Sequence, residues 1–215
     1  RKESSAASDV YKRQVYASPL VGTINEETYP RNLHPYATSH LAGEHAVLST
    51  NKCGEIQGIV LRLSNAFGSP MHKSVNCWRL LVNDLCRQAV LMRELVLQTN
   101  GLQQRDFVCM TEVCRVVESL VVGDGGSTNR SIFNVGAGKS QSVLEMAYLI
   151  QQRCIQVLGF EPELHRKQNG VDEQHRVLTY RTDNLNSMGI RSKSLENIPE
   201  IDRLLQFCQL VFIQK

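Results

Sequence analysis

The sequence lacks the features that mark membrane, secreted or nucleic-acid-binding proteins. No apolar run approaches the ~20 residues that a membrane-spanning helix needs, and no secretory signal is visible near residue 1. The net charge of the 215 residues is only +3 and is scattered along the chain, which argues against a nucleic-acid partner. With 42% hydrophobic residues, the chain is typical of a soluble globular protein with one domain or two small ones.

Paired metal-binding or disulfide-forming residues are also missing. None of the seven cysteines forms a C-x-x-C pair, and their odd number favours reduced thiols over a disulfide framework or a zinc knuckle. His34, His40 and His45 lie close together in the sequence but lack the H-x-x-x-H spacing with a nearby acid that zinc sites favour. We therefore predict no metal site and a cytoplasmic location.

The order of apolar and amphipathic segments predicts an α/β fold. Residues 1–14 are polar without hydrophobic period, and we expect them to be non-native or disordered. Beyond them, strands are predicted at 15–17, 56–63, 95–97, 107–110, 131–135 and 163–166, and helices at 35–50, 78–92, 112–122, 143–159 and from 201 onward. The nearly continuous apolar run 56–63 is typical of a strand buried on both faces of a parallel sheet.

Single residues predict where helices begin, which face they bury and where a ligand binds. Thr111 and Ser142 are predicted to cap the helices that follow them. The turn 64–70 follows a predicted strand, and ligands of open α/β sheets bind at such strand ends. In the helix 35–50 the predicted buried positions are Leu41, Ala42, His45, Ala46 and Leu48.

Tyr36 and His40 are the first candidate for chemistry. Positions i and i+4 of a helix lie one turn apart on the same face, so both side chains could point into one pocket. A phenol can act as an acid or a base when a partner group beside it lowers its pKa. Taken alone, the spacing also fits an ordinary amphipathic helix.

Several short motifs follow one another in an order that indicates a family. They are Val15-Tyr16-Ala17, Glu26-Glu27-Thr28, Pro35-Tyr36 to His40, Arg62 to Gly68, Arg105 to Val108 with Glu112-Val113, Phe133 to Gly138, and Ser142 to Glu145. Between Val15 and about Leu185 the chain thus resembles the extended short-chain dehydrogenases/reductases, the NAD-dependent epimerase/dehydratase group that acts on nucleotide sugars. The resemblance implies the C-terminal part of a Rossmann-like parallel sheet plus a small α/β substrate-binding domain.

The resemblance also implies roles for five residues. Tyr36 would be the catalytic acid or base, with His40 at the position of the family's lysine. Both would contact an NAD or NADP cofactor together with Ser64. Asn65 and Arg105 would bind a nucleotide-diphosphate sugar, with the Arg105 guanidinium gripping the diphosphate.

Some of these residues also have plainer interpretations. Asn65 could serve only as a turn residue, and Arg105 could form a surface ion pair with an acidic neighbour. Trp78 is predicted to pack in the core rather than to stack on a base. Arg176 or Arg181 would be a further phosphate ligand of the family, although both are surface residues by default.

Besides the histidine at position 40, the sequence departs from the family in two places. It has no Gly-x-x-Gly-x-x-Gly turn, and Lys12 stands at the slot of the family's catalytic Ser or Thr. Gly136-Ala137-Gly138 precedes Lys139, but it lacks the earlier glycine of a phosphate-binding P-loop. We therefore expect an N-terminally truncated fragment that neither binds NAD tightly nor has useful activity.

The predicted domains and function follow from this comparison. Residues 15–70, with returning strands from 105–140, would form part of the NAD-binding domain, and 71–104 with 141–215 the substrate-binding domain. An epimerase or a 4-ketosugar reductase is preferred, since the Asp-Glu pair of a dehydratase is missing. The alternative is a non-catalytic sugar-nucleotide-binding or regulatory relative. A homodimer could form through the Tyr36 helix.

Overall fold

The computed structural model describes residues 15–16, 20–122, 130–167, 177–191 and 197–213. Its strands are β1 (Gly22–Ile24), β2 (Val60–Leu63), β3 (Asn65–Phe67), β4 (Glu94–Leu97), β5 (Gln104–Cys109), β6 (Ile132–Val135), β7 (Ser140–Ser142), β8 (Glu163–Arg166) and β9 (Leu178–Tyr180). Its helices are α1 (Pro35–Lys52), α2 (Leu81–Met92), α3 (Met110–Val122), α4 (Val143–Leu158), α5 (Asp183–Ser187) and α6 (Asn197–Phe212). Within these residues no helix is long and apolar enough to cross a membrane.

The strands pair mainly in parallel, as predicted. The parallel pairs are β1–β9, β2–β6, β3–β5 and β4–β8, while β5 and β7 run antiparallel. In the β2–β6 pair the register runs from Val60 opposite Ile132 to Leu63 opposite Val135. Parallel neighbours require crossover connections, and α1, α2 and α3 lie within such connections. The prediction of an α/β fold is confirmed.

The two largest apolar clusters hold most of these elements together. The larger one joins α2, α4 and α6 to β4, with buried residues such as Leu85, Ile150 and Leu204. The second packs α3 against β6 through Val116 and Phe133. Burying each such side chain contributes about 1.5–3 kcal/mol to stability, so the clusters hold the helices against the strands.

The predicted cap of α4 is confirmed in detail. The Ser142 hydroxyl accepts a hydrogen bond from the Glu145 amide at 3.0 Å, and the Glu145 carboxylate accepts one from the Ser142 amide at 2.6 Å. This reciprocal capping box satisfies two amides that the first turn of a helix leaves without partners. The helix therefore begins where the sequence predicts it.

The predicted buried face of α1 is wrong. Ala42, His45 and Ala46 are exposed, and Leu41 and Leu48 are only half-buried. The helix instead turns the face carrying Ala37 and Glu44 toward β2, because the Glu44 carboxylate pairs with Arg62 of that strand. An ion pair, not the apolar pattern, therefore orients the helix.

The strand predicted at 56–63 is shorter than expected. It begins at Val60, and both Ile56 and Ile59 are exposed. The Gly58 amide donates to the Asn51 side chain at 3.0 Å, and a Cβ at Gly58 would lie 2.6 Å from Val47 Cγ1. The chain therefore crosses over the end of α1 before it enters the sheet.

Other boundaries also differ from the predictions. Val15 and Tyr16 form a bend rather than a strand, β1 and β9 lie in predicted loops, and β3 lies inside the predicted turn 64–70. Thr111 lies inside α3, and its hydroxyl donates to Glu200 instead of capping the helix. Short strands such as β1 and β3 form because partners distant in the sequence complete them. The segments 1–14 and 123–127, with Lys12 and Arg176, lie outside the described residues.

Candidate active site

A cavity of about 320 Å³ lies between α1, the β2–β3 segment, β5 and the start of α2. Three separate segments of the sequence contribute its polar lining. The residues predicted for the site all lie on it: Tyr36, His40, Ser64, Asn65 and Arg105. The structure therefore brings these five residues together, whereas their chemical roles remain predictions.

Tyr36 and His40 lie side by side on α1. Their ring centroids are 4.3 Å apart with the ring planes tilted by 44°. The helix begins at Pro35, and the His34 ring nitrogen Nδ1 accepts the Tyr36 amide at 3.2 Å. His34 thus caps the helix, and Tyr36, at 42% exposure, is accessible to a ligand entering the cavity from solvent.

The ion pair between Glu44 and Arg62 also lines the cavity, and sequence reasoning missed it. Arg62 Nη2 lies 2.7 Å from Glu44 Oε2, and Arg62 Nε donates to both carboxylate oxygens at 3.2 and 3.1 Å. Burial acts to lower the pKa of Arg62, but its hydrogen bonds to Glu44 and Tyr16 outweigh that effect and raise the pKa. A charge inside a strand predicted to be buried needs a partner, and that signal could have revealed the pair.

A polar network of two tyrosines and an asparagine lies beside this ion pair. The Tyr16 hydroxyl donates to Asn134 Oδ1 at 2.5 Å, and the Tyr180 hydroxyl donates to the Arg62 carbonyl at 2.9 Å. Burial raises the pKa of both phenols. Both phenols are buried and held by hydrogen bonds, whereas Tyr36 is exposed and lines the cavity.

Arg105 and Asn65 approach the cavity from neighbouring strands. Arg105 lines it from β5 with only 6% exposure. Asn65 Nδ2 donates to the Asp106 carbonyl at 2.9 Å, so this side chain fastens β3 to β5 in addition to lining the cavity. Glu112, one acidic neighbour considered for Arg105, pairs with Arg115 at 2.6 Å.

The glycine turn after β6 is filled by a carboxylate of the chain itself. Asp106 Oδ1 accepts the Ala137 amide at 2.8 Å, and a Cβ at Gly136 would lie 2.7 Å from that oxygen. Burial raises the pKa of Asp106, while Ser64 and the amides of residues 137–139 lower it by less. The turn also connects two strands rather than a strand and a helix. Both observations agree with rejecting a P-loop here.

The remaining candidates among the described residues have structural roles. Trp78 stacks on Phe207 at 6.3 Å between ring centroids, which confirms the core interpretation. Arg181 forms a surface ion pair with Asp183 at 2.7 Å. Over the described part of the chain, no three metal-ligating side chains lie close enough to hold an ion.

Comparison with known proteins defines the class. Residues 5–136, well over half of the chain, match the NAD dependent epimerase/dehydratase family. The chain belongs to this family. The resemblance inferred from the motifs is thereby confirmed.

Individual relatives show how much of a family member the chain spans. A dTDP-L-rhamnose 4-epimerase of Burkholderia thailandensis is 27% identical over 125 residues, which are 58% of this chain and 34% of the relative. UDP-glucuronic acid 4-epimerase from Bacillus cereus, solved with NAD, superimposes with a TM-score of 0.71 at 17% identity, covering 92% of this chain and 59% of its own.

A third relative is RMD from Pseudomonas aeruginosa, solved with NADPH. Its TM-score is 0.68 at 20% identity, and the alignment covers 91% of this chain and 63% of that one. The chain therefore spans about a third of the curated relative and about three fifths of the two structures. At these identities the structures establish the Rossmann-like fold.

Proposed function

We propose that the cavity binds a nucleotide-diphosphate sugar and carries the acid–base half of an NAD- or NADP-dependent epimerase or 4-ketosugar reductase. The observation that supports this proposal is the convergence of Tyr36, His40, Ser64, Asn65 and Arg105 on one cavity. These residues come from three segments of the sequence, and only the fold brings them together.

Tyr36 is the proposed acid or base. Its phenol would exchange a proton with a hydroxyl or carbonyl oxygen of the sugar. The His40 ring in contact with it can donate a hydrogen bond to the phenolate, whereas the family's lysine would also supply a permanent positive charge. The exposure of Tyr36 allows a sugar to reach the phenol without rearrangement of α1.

Arg105 is the proposed anchor for the diphosphate. A guanidinium donates two parallel hydrogen bonds to a phosphate, and burial strengthens such charged contacts. Arg105 lines the cavity from β5 while Asn65 offers an amide group from β3. The curated relative is named for a dTDP-sugar, and the Bacillus cereus enzyme was also solved with UDP-glucuronic acid. Sugars linked to either nucleotide are therefore the first to test.

The residues present fit the ribose and nicotinamide part of a dinucleotide. The Ser64 hydroxyl is buried beside the Asp106 carboxylate, whose pKa it lowers, and Ser64 lines the same cavity as Tyr36 and His40. These three side chains would hold that part of NAD or NADP, which when bound supplies hydride transfer. Since the sequence has no glycine-rich dinucleotide turn, we predict weak binding; micromolar affinity in an NAD titration would contradict this.

Calorimetric titration with UDP-glucose and dTDP-glucose tests the proposal. We expect Arg105→Ala to weaken binding at least tenfold, whereas Arg181→Ala, which removes a surface arginine, should not change it. Tyr36→Phe should retain affinity and lower turnover by about 10²–10⁴ in a chain fused to a glycine-rich dinucleotide-binding half. Equal affinity of the wild type and Arg105→Ala would refute the proposed site.

A non-catalytic sugar-nucleotide-binding or regulatory relative is the second candidate. The observation that favours it is histidine at position 40, where the family has lysine. The two candidates differ in the effect of Tyr36→Phe. If the fused chain binds sugar nucleotides but turns none over, with or without this substitution, the binding role is correct.

The oligomeric state and the compartment are also proposals. We propose a homodimer through α1, because its outer residues Ala42, His45 and Ala46 are exposed. Sedimentation analysis should show a dimer that Ala42→Glu converts to a monomer. A cytoplasmic location is supported by seven free thiols, and thiol labelling of protein from intact cells should find them reduced.

A further inference from the structure

The turn that follows β3 contains Gly68 and Ser69, and side chains from two helices hold it in place. Asn83, fully buried in the first turn of α2, accepts the Gly68 amide through Oδ1 at 3.2 Å and donates through Nδ2 to the Gly68 carbonyl at 2.8 Å. Glu200 of α6 accepts the Ser69 amide at 3.0 Å. Two consecutive residues of the turn are thus bound to side chains distant from them in the sequence.

Glu200 is itself fixed by further contacts. Its Oε2 accepts the Thr111 hydroxyl at 2.6 Å and Arg203 Nη2 at 2.7 Å. Burial acts to raise the pKa of Glu200, but the hydrogen bonds from Thr111, Ser69 and Arg203 outweigh it and lower the pKa. Glu200 is therefore ionised at neutral pH and holds the Ser69 amide as a charged acceptor.

Gly68 of this turn is closely packed. A Cβ placed on Gly68 would lie 2.9 Å from Met110 Cβ and 3.0 Å from Glu200 Oε1. Glycine is therefore required here because the starts of α3 and α6 approach the backbone closely. The turn is enclosed by α2, α3 and α6 together.

The position of this turn relates it to the cavity. Ser64, Asn65 and Ala66 line one wall just before it, and the range 80–82 lines another wall just before Asn83. We infer that Asn83 and Glu200 are positioning residues for the affinity for a nucleotide-diphosphate sugar. Asn83 ties the turn to the start of α2 and so fixes the spacing of these two walls, and Glu200 holds the same turn against α6. This inference rests on the proposed function, since it concerns the same cavity.

The hydrogen bonds that join Asn83 and Glu200 to the turn form a clamp, and hydrogen exchange tests this clamp without requiring activity. Exchange of the Gly68 amide should accelerate at least tenfold in Asn83→Ala, and exchange of the Ser69 amide should do so in Glu200→Ala, because each amide loses its side-chain acceptor. Val90→Ala is the matched control, since Val90 is buried in the same helix and the same apolar cluster, away from the turn. Unchanged exchange at the turn in both variants, or an equal increase in Val90→Ala, would overturn the inference.

Titration with UDP-glucose tests the consequence for binding. We expect Kd to rise about tenfold in Asn83→Ala and Glu200→Ala, because the buried turn amides are left without acceptors. Glu200→Gln, which keeps an oxygen for the Ser69 amide, should stay within about threefold of the wild type. Faster exchange with unchanged Kd would refute the positioning role. If the wild type binds neither UDP- nor dTDP-sugars, the proposed function fails, while exchange at the turn still decides whether the clamp exists.

Discussion

Removing the Glu44 carboxylate should destabilise the protein far more than removing an exposed carboxylate at the same distance from an arginine. The Arg62–Glu44 pair is 2.7 Å long with side-chain exposures of 6% and 10%. The Arg181–Asp183 pair is also 2.7 Å long, but its side chains are 52% and 46% exposed. The two pairs therefore differ mainly in burial.

The expected magnitude follows from what Glu44→Ala leaves behind. The Arg62 guanidinium would stay buried with the Glu26 carbonyl at 3.5 Å and the Tyr16 ring at 4.9 Å. Breaking a buried pair from one side costs about 3–5 kcal/mol. Asp183→Ala should cost below about 1 kcal/mol, because water screens an exposed pair.

Urea unfolding at neutral pH measures both variants, and the comparison is valid if the m values agree. Replacing both partners at once, as Glu44→Leu with Arg62→Met, should restore most of the lost stability, because no unpaired charge remains buried. A Glu44→Ala cost no larger than that of Asp183→Ala would refute the assigned burial, and with it the account of how α1 is oriented.

Three further predictions concern single side chains. Gly136→Ala should lower the free energy of unfolding by about 1–3 kcal/mol in thermal unfolding, because its Cβ would overlap Asp106. Gly43 lies in open space on α1, so Gly43→Ala should raise the free energy of unfolding by about 0.5–1 kcal/mol. A Gly136→Ala variant as stable as the wild type would contradict the close packing at Gly136. His40→Lys should leave turnover of the fused chain unchanged or lower, because loss of the ring contact with Tyr36 offsets the gain of a permanent positive charge beside the phenol. A gain above tenfold would mark histidine as an impairment. The stability that Glu200 contributes over Glu200→Gln should be fully present above pH 4.5, the ordinary glutamate pKa, and decline as the pH falls below it, because the folded-state pKa is lowered. A difference independent of pH would exclude that cause.

Elements with local signals could be predicted from the sequence. The capping residue Ser142 and the glutamate three positions later define the start of α4. The strands predicted at 95–97 and 163–166 correspond to β4 and β8, which pair in parallel. Propensity and capping act over a few neighbouring residues, so they can be recognised without knowing the fold.

Features that depend on distant contacts could not be predicted. The orientation of α1 depends on a pair separated by 18 residues, and the clamp on the turn joins residues separated by 15 and by 131 positions. The family resemblance placed Tyr36 and Arg105 in the site because motifs preserve chemistry. It could not indicate Asn83 or Glu200, because each acts on the backbone of another segment.

Helix α1 buries few of its side chains, and this has a consequence for measured affinities. Ala37 is the one fully buried residue of this helix, and Glu44 adds the ion pair. Elements with few buried contacts open locally at a lower free energy than the rest of a fold. Because Tyr36 and His40 lie on this helix, only molecules with α1 closed present the full cavity. The measured Kd is then the intrinsic Kd divided by the closed fraction, and a ligand that binds the closed form should slow hydrogen exchange along the whole of α1.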